Sequence, residues 1–161
     1  MFGFQRTDYD RKVYEEELAP FLPEHLVDVH THIWKKEFDP HVAAKGCVAW
    51  TKMVAEECTL EDLLQTFRDL FPGRTVKPVL MADPTVDLDR ANAYARESGA
   101  RAGLPVLYCT RGEMPAETLE KAVVEGGSAG LKPYLNHSPA YIPADEIRIY
   151  DFLPPEHLAL A

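Results

Sequence analysis

Residues 26–34 read LVDVHTHIW, a short apolar run that carries two histidines two positions apart. Side chains alternate between the faces of an extended strand, so this spacing predicts that Asp28, His30 and His32 share one face. The opposite face then carries Val27, Val29 and Thr31. Imidazoles at this spacing start roughly 7 Å apart along the strand, which a single metal ion can bridge. The pattern predicts a strand that ends in a metal site.

Three polar groups on one side of a buried strand must find partners, because an unsatisfied buried polar group is costly. We interpret His30 and His32 as metal ligands and Asp28 as a carboxylate that orients a ligand histidine from behind. The alternative is a pair of structural histidines. The pair stands at the C-terminal end of the first clear strand, where α/β folds gather ligands, and this favours the metal site.

Strand and helix patterns alternate along the chain. Strands are predicted at about 26–31, 75–81, 104–109 and 129–134. Helices are predicted at 9–19, from Thr59 to Pro72, at 87–98, from Pro115 to Gly126, and from Pro154 onward. Thr59 and Asp62 are spaced as an N-terminal capping pair. Four β-then-α units with apolar strand interiors predict a parallel sheet in an α/β fold. A flavodoxin-like or Rossmann sheet is disfavoured because no glycine-rich phosphate loop follows the first strand.

The stretch at 26–34 resembles the first strand of the amidohydrolase superfamily, whose members are metal-dependent hydrolases built on a TIM (β/α)8 barrel. It is most similar to the amidohydrolase-related branch, which also includes decarboxylases. The likeness continues at GLKPYLN, residues 130–136, which is similar to the fourth strand, and through IRIYDFLP, residues 147–154. It therefore extends from about residue 22 to the end of the chain.

The chain has 161 residues, whereas a complete barrel needs about 250. We therefore expect a single domain, 1–161, that forms the N-terminal half of an amidohydrolase-like barrel with about four strands. Residues 1–24 would form a pre-barrel helix segment and residues 35–58 a long lid-like loop. The chain would be a truncated product or the product of a split gene.

The resemblance implies hydrolysis of a C–N or C–O bond of a small molecule through a metal-bound hydroxide, with decarboxylation as the sibling chemistry. His30 and His32 would hold a divalent ion, zinc in the first place, with one or two ions in the complete enzyme. The family pattern also expects histidines and an aspartate on later strands, which this chain lacks. Since two imidazoles make a weak site, we expect the isolated chain to show no metal or to lose it on dialysis, and to show negligible hydrolase activity.

Lys132 and Tyr134, on the fourth strand, are the candidate catalytic residues. Lys132 could be a solvated charge, an anchor for a substrate carboxylate or, as in binuclear family members, a carboxylated bridge between two metals. Tyr134 could hydrogen-bond a substrate or simply pack. Asp83 and Arg111 follow strands two and three, so they are candidates for substrate binding, with a helix cap or a rim salt bridge as the alternative.

The remaining histidines and cysteines are weaker candidates. His41 and His137 lie in predicted loops and, with Lys132, are the first suspects for an additional ligand, whereas a structural role is expected for His25 and His157. Cys109 is expected to be a buried, inert thiol. The three cysteines, Cys47, Cys58 and Cys109, lack Cys-x-x-Cys spacing, which favours reduced thiols in a cytoplasmic protein.

The formal net charge of −9 argues against nucleic-acid binding. No apolar run is long enough for a membrane span, and no export leader is evident. The expected partners are a small-molecule substrate and either a second copy of the chain or the complement of a missing C-terminal half. The alternative function is a catalytically inert half-barrel that associates with itself or a partner through the open edge of its sheet.

Overall fold

Four parallel strands form one sheet, and their order in the sheet follows their order in the chain. The computed structural model describes residues 6–38 and 55–160. Strands β1 to β4 span His25–Ile33, Thr75–Ala82, Val106–Thr110 and Gly130–Pro133. The predicted α/β class with parallel βα units is confirmed, and the sheet curls like half of a barrel.

Three helices connect the strands, and shorter ones lie at the two ends. Helix α1 covers Asp8–Val13 and continues as a π-helical turn, Tyr14–Leu18. Helices α2, α3 and α4 span Leu60–Leu70, Leu88–Ala102 and Ala116–Val124, and the C-terminal α5 and α6 span Ile149–Phe152 and Pro155–Leu158. Within the described ranges, no helix is both long and apolar enough to cross a membrane.

The start of α2 follows from its sequence. Thr59 Oγ1 accepts a hydrogen bond from the Asp62 backbone N–H at 3.1 Å, and the Asp62 carboxylate accepts one from the Thr59 N–H at 3.1 Å. This reciprocal capping box satisfies two N–H groups that a helix start otherwise leaves without partners. The predicted capping pair is confirmed.

Two of the hydrophobic clusters lie between the helices and one face of the sheet, and a third includes Met81 and Cys109. The central cluster joins one buried side chain from each of the first three strands to α2 and α3: Ile33, Leu80, Val106, Leu60 and Ala95. A second cluster packs Tyr108 of β3 against Leu119 and Val123 of α4. The helices therefore cover the convex face of the curled sheet.

Helix α3 is longer than predicted, because Gly99 lies inside it and does not end it. The helix packs so closely on β3 that a Cβ at Gly99 would stand 2.3 Å from Val106 Cγ2. Only glycine fits there. The helix ends instead at Gly103, whose φ of 65° is left-handed.

One irregularity interrupts the pairing of β1 with β2. Asp28 pairs with Pro78 and Thr31 with Leu80, so three steps along β1 match two along β2. Paired residues share a face, and every second residue returns to it, so Asp28 and Thr31 lie on one face and His32 lies on the other. The prediction that Asp28 shares the face of His32 is therefore wrong.

The same bulge changes the face of Val27. Val27 pairs with Lys77, which shares the face of Met81, and Met81 pairs with His32. Val27 therefore lies on the histidine-bearing face, contrary to prediction. Its side chain is 65% exposed, and that of Val29 is 67% exposed. Both errors have one cause, since a period-2 pattern does not reveal an inserted residue.

The predicted lid-like loop, 35–58, is described only at its two ends. There Trp34 and Cys58 exchange backbone hydrogen bonds of 2.9 and 3.0 Å, so the loop leaves and returns at one place beside the end of β1. His41 and Cys47 lie outside the described residues. Cys58 and Cys109 are buried free thiols.

Candidate metal centre

The concave face of the sheet carries a set of aligned side chains at the carboxyl ends of the strands. His32 pairs with Met81, Met81 pairs with Leu107, and Cys109 pairs with Lys132. Cys109 is two residues beyond Leu107, so all five share one face. Ligand sites of parallel α/β sheets form at this end of the strands.

His30 and His32 meet at their outer ring nitrogens. The two Nε2 atoms are 3.2 Å apart, and the ring centroids are 5.1 Å apart. His32 Nδ1 lies 2.8 Å from the Ala82 carbonyl oxygen. Because a carbonyl only accepts, Nδ1 carries the proton and His32 Nε2 presents its lone pair to the site. A backbone carbonyl is a common means of fixing the tautomer of a ligand histidine.

Burial lowers the pKa of His32, and its contact with Ala82 offsets only part of this effect. The charged groups that act on His32 are Asp83, which raises the pKa, and His30 and Lys132, which lower it. His32 is therefore neutral near pH 7, the form in which imidazole binds a metal.

Tyr134 reaches the histidine pair from the opposite edge of the sheet. Its Oη lies 3.1 Å from His32 Nε2 and 3.5 Å from Met81 Sδ. In a flat sheet, β1 and β4 would be about 14 Å apart, so this contact requires the observed curl. Lys132 Nζ lies 5.0 Å from the centre of the Tyr134 ring, and burial raises the pKa of the tyrosine.

The structure places the other predicted residues around this centre. Asp28 accepts a hydrogen bond from the His30 backbone N–H at 3.1 Å, so it holds the bulge rather than a ring. Asp83 is 4% exposed, and its Oδ1 accepts from the N–H and the hydroxyl of Thr85 at 2.7 and 2.6 Å. Arg111 forms a salt bridge of 2.9 Å with Asp89 of α3.

Three further histidines lie away from the pair. His25 is exposed at the start of β1. His137 packs beside Tyr134, with ring centroids 6.4 Å apart, and its buried Nε2 has no hydrogen-bond partner among the residues that the structure describes. His157 is fully buried, and its Nε2 lies 2.7 Å from the Met114 carbonyl oxygen.

Two supporting groups were not predicted from the sequence. The Ala82 carbonyl receives both His32 Nδ1–H and the Cys109 thiol, the latter at 3.4 Å, and as a backbone group it leaves no sequence signal. Burial raises the pKa of the Cys109 thiol to about 12, so it stays protonated.

The second supporting group is Asn92, which donates to the Cys109 carbonyl at 2.9 Å and accepts from the Cys109 N–H at 3.0 Å. The sequence does contain one signal for Asn92, because it is a polar residue on the mostly apolar, buried face of α3.

The two nitrogens suit a metal ion in their separation. Ligand nitrogens at about 2.05 Å from a tetrahedral zinc are about 3.3 Å from each other, and the Nε2 atoms are 3.2 Å apart. In residues 6–38 and 55–160, however, no group of three or more His, Cys, Asp or Glu side chains could hold a metal ion. The pair fits part of a metal site.

Acidification is expected to destabilise the fold. Burial lowers the pKa of both His32 and His137, so below about pH 6.5 the unfolded chain binds more protons than the folded one. The free energy of unfolding should be highest above that pH and fall as the pH drops towards the lowered values. Urea unfolding between pH 7.5 and 5.0 measures this slope. The slope should be shallower for the His137→Asn variant, which keeps only His32. An unchanged slope would show that His137 does not contribute to the pH dependence of stability.

Comparison with known proteins adds no relative to this description. No family model matches the chain, and neither the curated proteins nor the solved structures contain a significant match.

Proposed function

We propose that this chain carries part of the metal centre of an amidohydrolase-type enzyme that hydrolyses a C–N or C–O bond of a small molecule. The observation that carries the proposal is the His30–His32 pair, with its Nε2 atoms 3.2 Å apart and His32 Nδ1 bonded to Ala82. A divalent cation, zinc in the first place, would supply a water of lowered pKa as nucleophile. The resemblance of residues 26–34 and 130–136 to the amidohydrolase superfamily supports the same proposal.

The chain's own residues would bind the metal ion and orient the substrate. His32, held by Ala82, is the fixed ligand, whereas His30 is exposed and leaves one side of the pair open to solvent. Lys132 and Tyr134 line the concave face, where a cationic group and a hydroxyl suit a substrate carboxylate or carbonyl. Asp83 and Arg111 stand at the ends of the neighbouring strands, each held by a partner. Decarboxylation of a small acid is the sibling reaction for the same residues.

Calorimetric titration with Zn²⁺ tests the metal centre. We expect His30→Ala and His32→Ala each to weaken zinc binding at least about tenfold, equivalent to about 1.4 kcal/mol, because each removes one nitrogen ligand. His25→Ala is the matched control, since it removes an exposed histidine from the other end of the same strand. Equal zinc affinity in all four proteins would contradict the proposal.

A second measurement distinguishes a hydrolytic site from a purely structural one. Catalytic zinc keeps a coordination position open, whereas structural zinc is closed by protein ligands. Acetohydroxamate should therefore change the visible spectrum of the Co²⁺-loaded chain. We expect turnover of simple esters and amides by the chain alone to remain negligible. A spectrum that acetohydroxamate leaves unchanged would argue against the hydrolytic proposal.

A second candidate function is association with another copy of the chain, and the exposed valines favour it. Val27 lies on the concave face and is 65% exposed, as Val29 is at 67%. In the described sheet, β1 and β4 are both edge strands and run in the same direction. A twofold axis along the centre of the half-barrel would bring β1 of each copy beside β4 of the other and cover the valines.

Sedimentation equilibrium at micromolar concentration tests this second candidate. The wild-type chain should be a dimer, and the double substitution Val27→Asp with Val29→Asp should yield a monomer, because it places charges in the apolar contact. Val124→Asp is the control, since Val124 is 72% exposed on α4 and lies away from the concave face. A wild-type chain that is monomeric would contradict this proposal.

A further inference from the structure

The histidine pair has a third close neighbour. His32 Nε2 lies 3.2 Å from His30 Nε2 and 3.1 Å from Tyr134 Oη. Since Nδ1 of His32 carries the proton, its Nε2 has a single lone pair. Two groups at hydrogen-bonding distance thus converge on one acceptor, and one hydrogen bond satisfies only one of them. A cation is the partner that all three atoms could share.

Tyr134 is held in this position from several sides. Its hydroxyl also contacts Met81 Sδ at 3.5 Å, and its ring lies 6.0 Å from that of His32 and 6.4 Å from that of His137. Lys132 Nζ lies over the ring, 5.0 Å from its centre. A side chain fixed in this way loses little conformational entropy when it binds a ligand.

The other side chains around the pair are engaged elsewhere. Cys109 points its thiol at the Ala82 carbonyl, and burial raises its pKa to about 12. The Asp83 Oδ1 accepts two hydrogen bonds from Thr85. Among the contacts of His32, Tyr134 Oη is the only oxygen other than the Ala82 carbonyl that lies within hydrogen-bond distance in the described part of the chain.

We propose that Tyr134 is a third protein ligand of the metal centre, binding as the phenolate after its proton passes to solvent, so that its oxygen and the two Nε2 atoms form an N₂O site. This inference rests on the proposed function and gives the chain one more ligand than the His30–His32 pair alone. Two of the edges between the donor atoms, 3.2 and 3.1 Å, match those of a tetrahedral site, about 3.3 Å. Zinc is a suitable cation, because it accepts nitrogen and oxygen ligands.

Co²⁺ is a suitable probe, because its visible absorption reports both affinity and the set of donor atoms. Titration of the wild-type chain, Tyr134→Phe and Tyr141→Phe compares two identical chemical changes. Tyr141 is 83% exposed, so its substitution removes a phenol that has no place in the site. We expect Tyr134→Phe to weaken Co²⁺ binding about tenfold or more and to shift the absorption bands, while Tyr141→Phe behaves like wild type. Far-ultraviolet circular dichroism verifies that each variant is folded.

The outcomes separate the inference from the proposed function. Wild-type affinity and bands in Tyr134→Phe, with loss of binding in His32→Ala, would overturn the role of Tyr134 and leave the histidine pair in place. Weaker binding with unchanged bands would also overturn it, since Tyr134 would then only position His32. Failure of the wild-type chain to bind Co²⁺ would overturn both.

Discussion

Replacement of Asn92 by alanine should lower the free energy of unfolding by about 2–4 kcal/mol. Asn92 is 2% exposed, and its side-chain amide bonds both the N–H and the carbonyl of Cys109. Strand β2 pairs with β3 as far as Met81 and Leu107, and beyond this pair the Asn92 amide bonds β3 in place of a neighbouring strand. Alanine would leave two buried backbone groups without partners, which costs more than the lost hydrogen bonds alone.

Urea unfolding followed by circular dichroism measures this change. Gln65→Ala is the control, because it also removes a side-chain amide with hydrogen bonds, to Asp69 and Arg68, but on an exposed helix face. Its effect should stay within about 0.5 kcal/mol. Equal midpoints for Asn92→Ala and Gln65→Ala would mean that the amide does not hold β3.

Gly99→Ala should destabilise the protein by about 2–3 kcal/mol. The added Cβ would lie 2.3 Å from Val106 Cγ2 and 2.9 Å from the Leu104 carbonyl oxygen. Alanine would gain helix propensity of about 1 kcal/mol, but contacts this short force α3 away from β3. The steric clash therefore outweighs the gain in helix propensity, and the substitution lowers the free energy of unfolding. The midpoint of thermal unfolding provides the measurement.

A double-mutant cycle identifies the clash as the cause. Val106→Ala alone leaves a cavity in the central cluster and should destabilise the protein. Combined with Gly99→Ala, it removes the shorter of the two contacts, so the double variant should be less destabilised than the sum of the single ones. Strict additivity would show that Gly99 and Val106 do not press on each other.

The fold was predictable to the extent that its signals are local. Thr59 and Asp62 set the start of α2, and the apolar strand interiors set the parallel sheet, so both are confirmed. The end of α3 was placed too early. Gly99 lies inside the helix, where it allows close packing on Val106 of β3, and the helix continues past it. The closeness of this packing is a tertiary property and leaves no mark in the helix sequence.

The candidate site likewise has features that were predictable from the sequence and features that were not. The spacing of His30 and His32 predicted side chains that share one face, and in the structure their rings meet although a bulge interrupts the strand. Tyr134 was predicted on the fourth strand, and in the structure it follows Pro133, the last residue of β4, with its hydroxyl near His32. The support that fixes His32 was not predictable, because it is the backbone of Ala82. The position of Asp28 was predicted wrongly, because the pairing partner determines strand phase after a bulge.

The bulge also determines where the length of this strand can change. Deletion of Val29 would remove the extra residue, so that two steps along β1 would match two along β2. Asp28 would still pair with Pro78 and Thr31 with Leu80, so neither the segment before the bulge nor the histidine pair would turn to the opposite face. An insertion or deletion elsewhere in β1 would turn one flanking segment over. Genetic variation in this strand should therefore change its length only at the bulge.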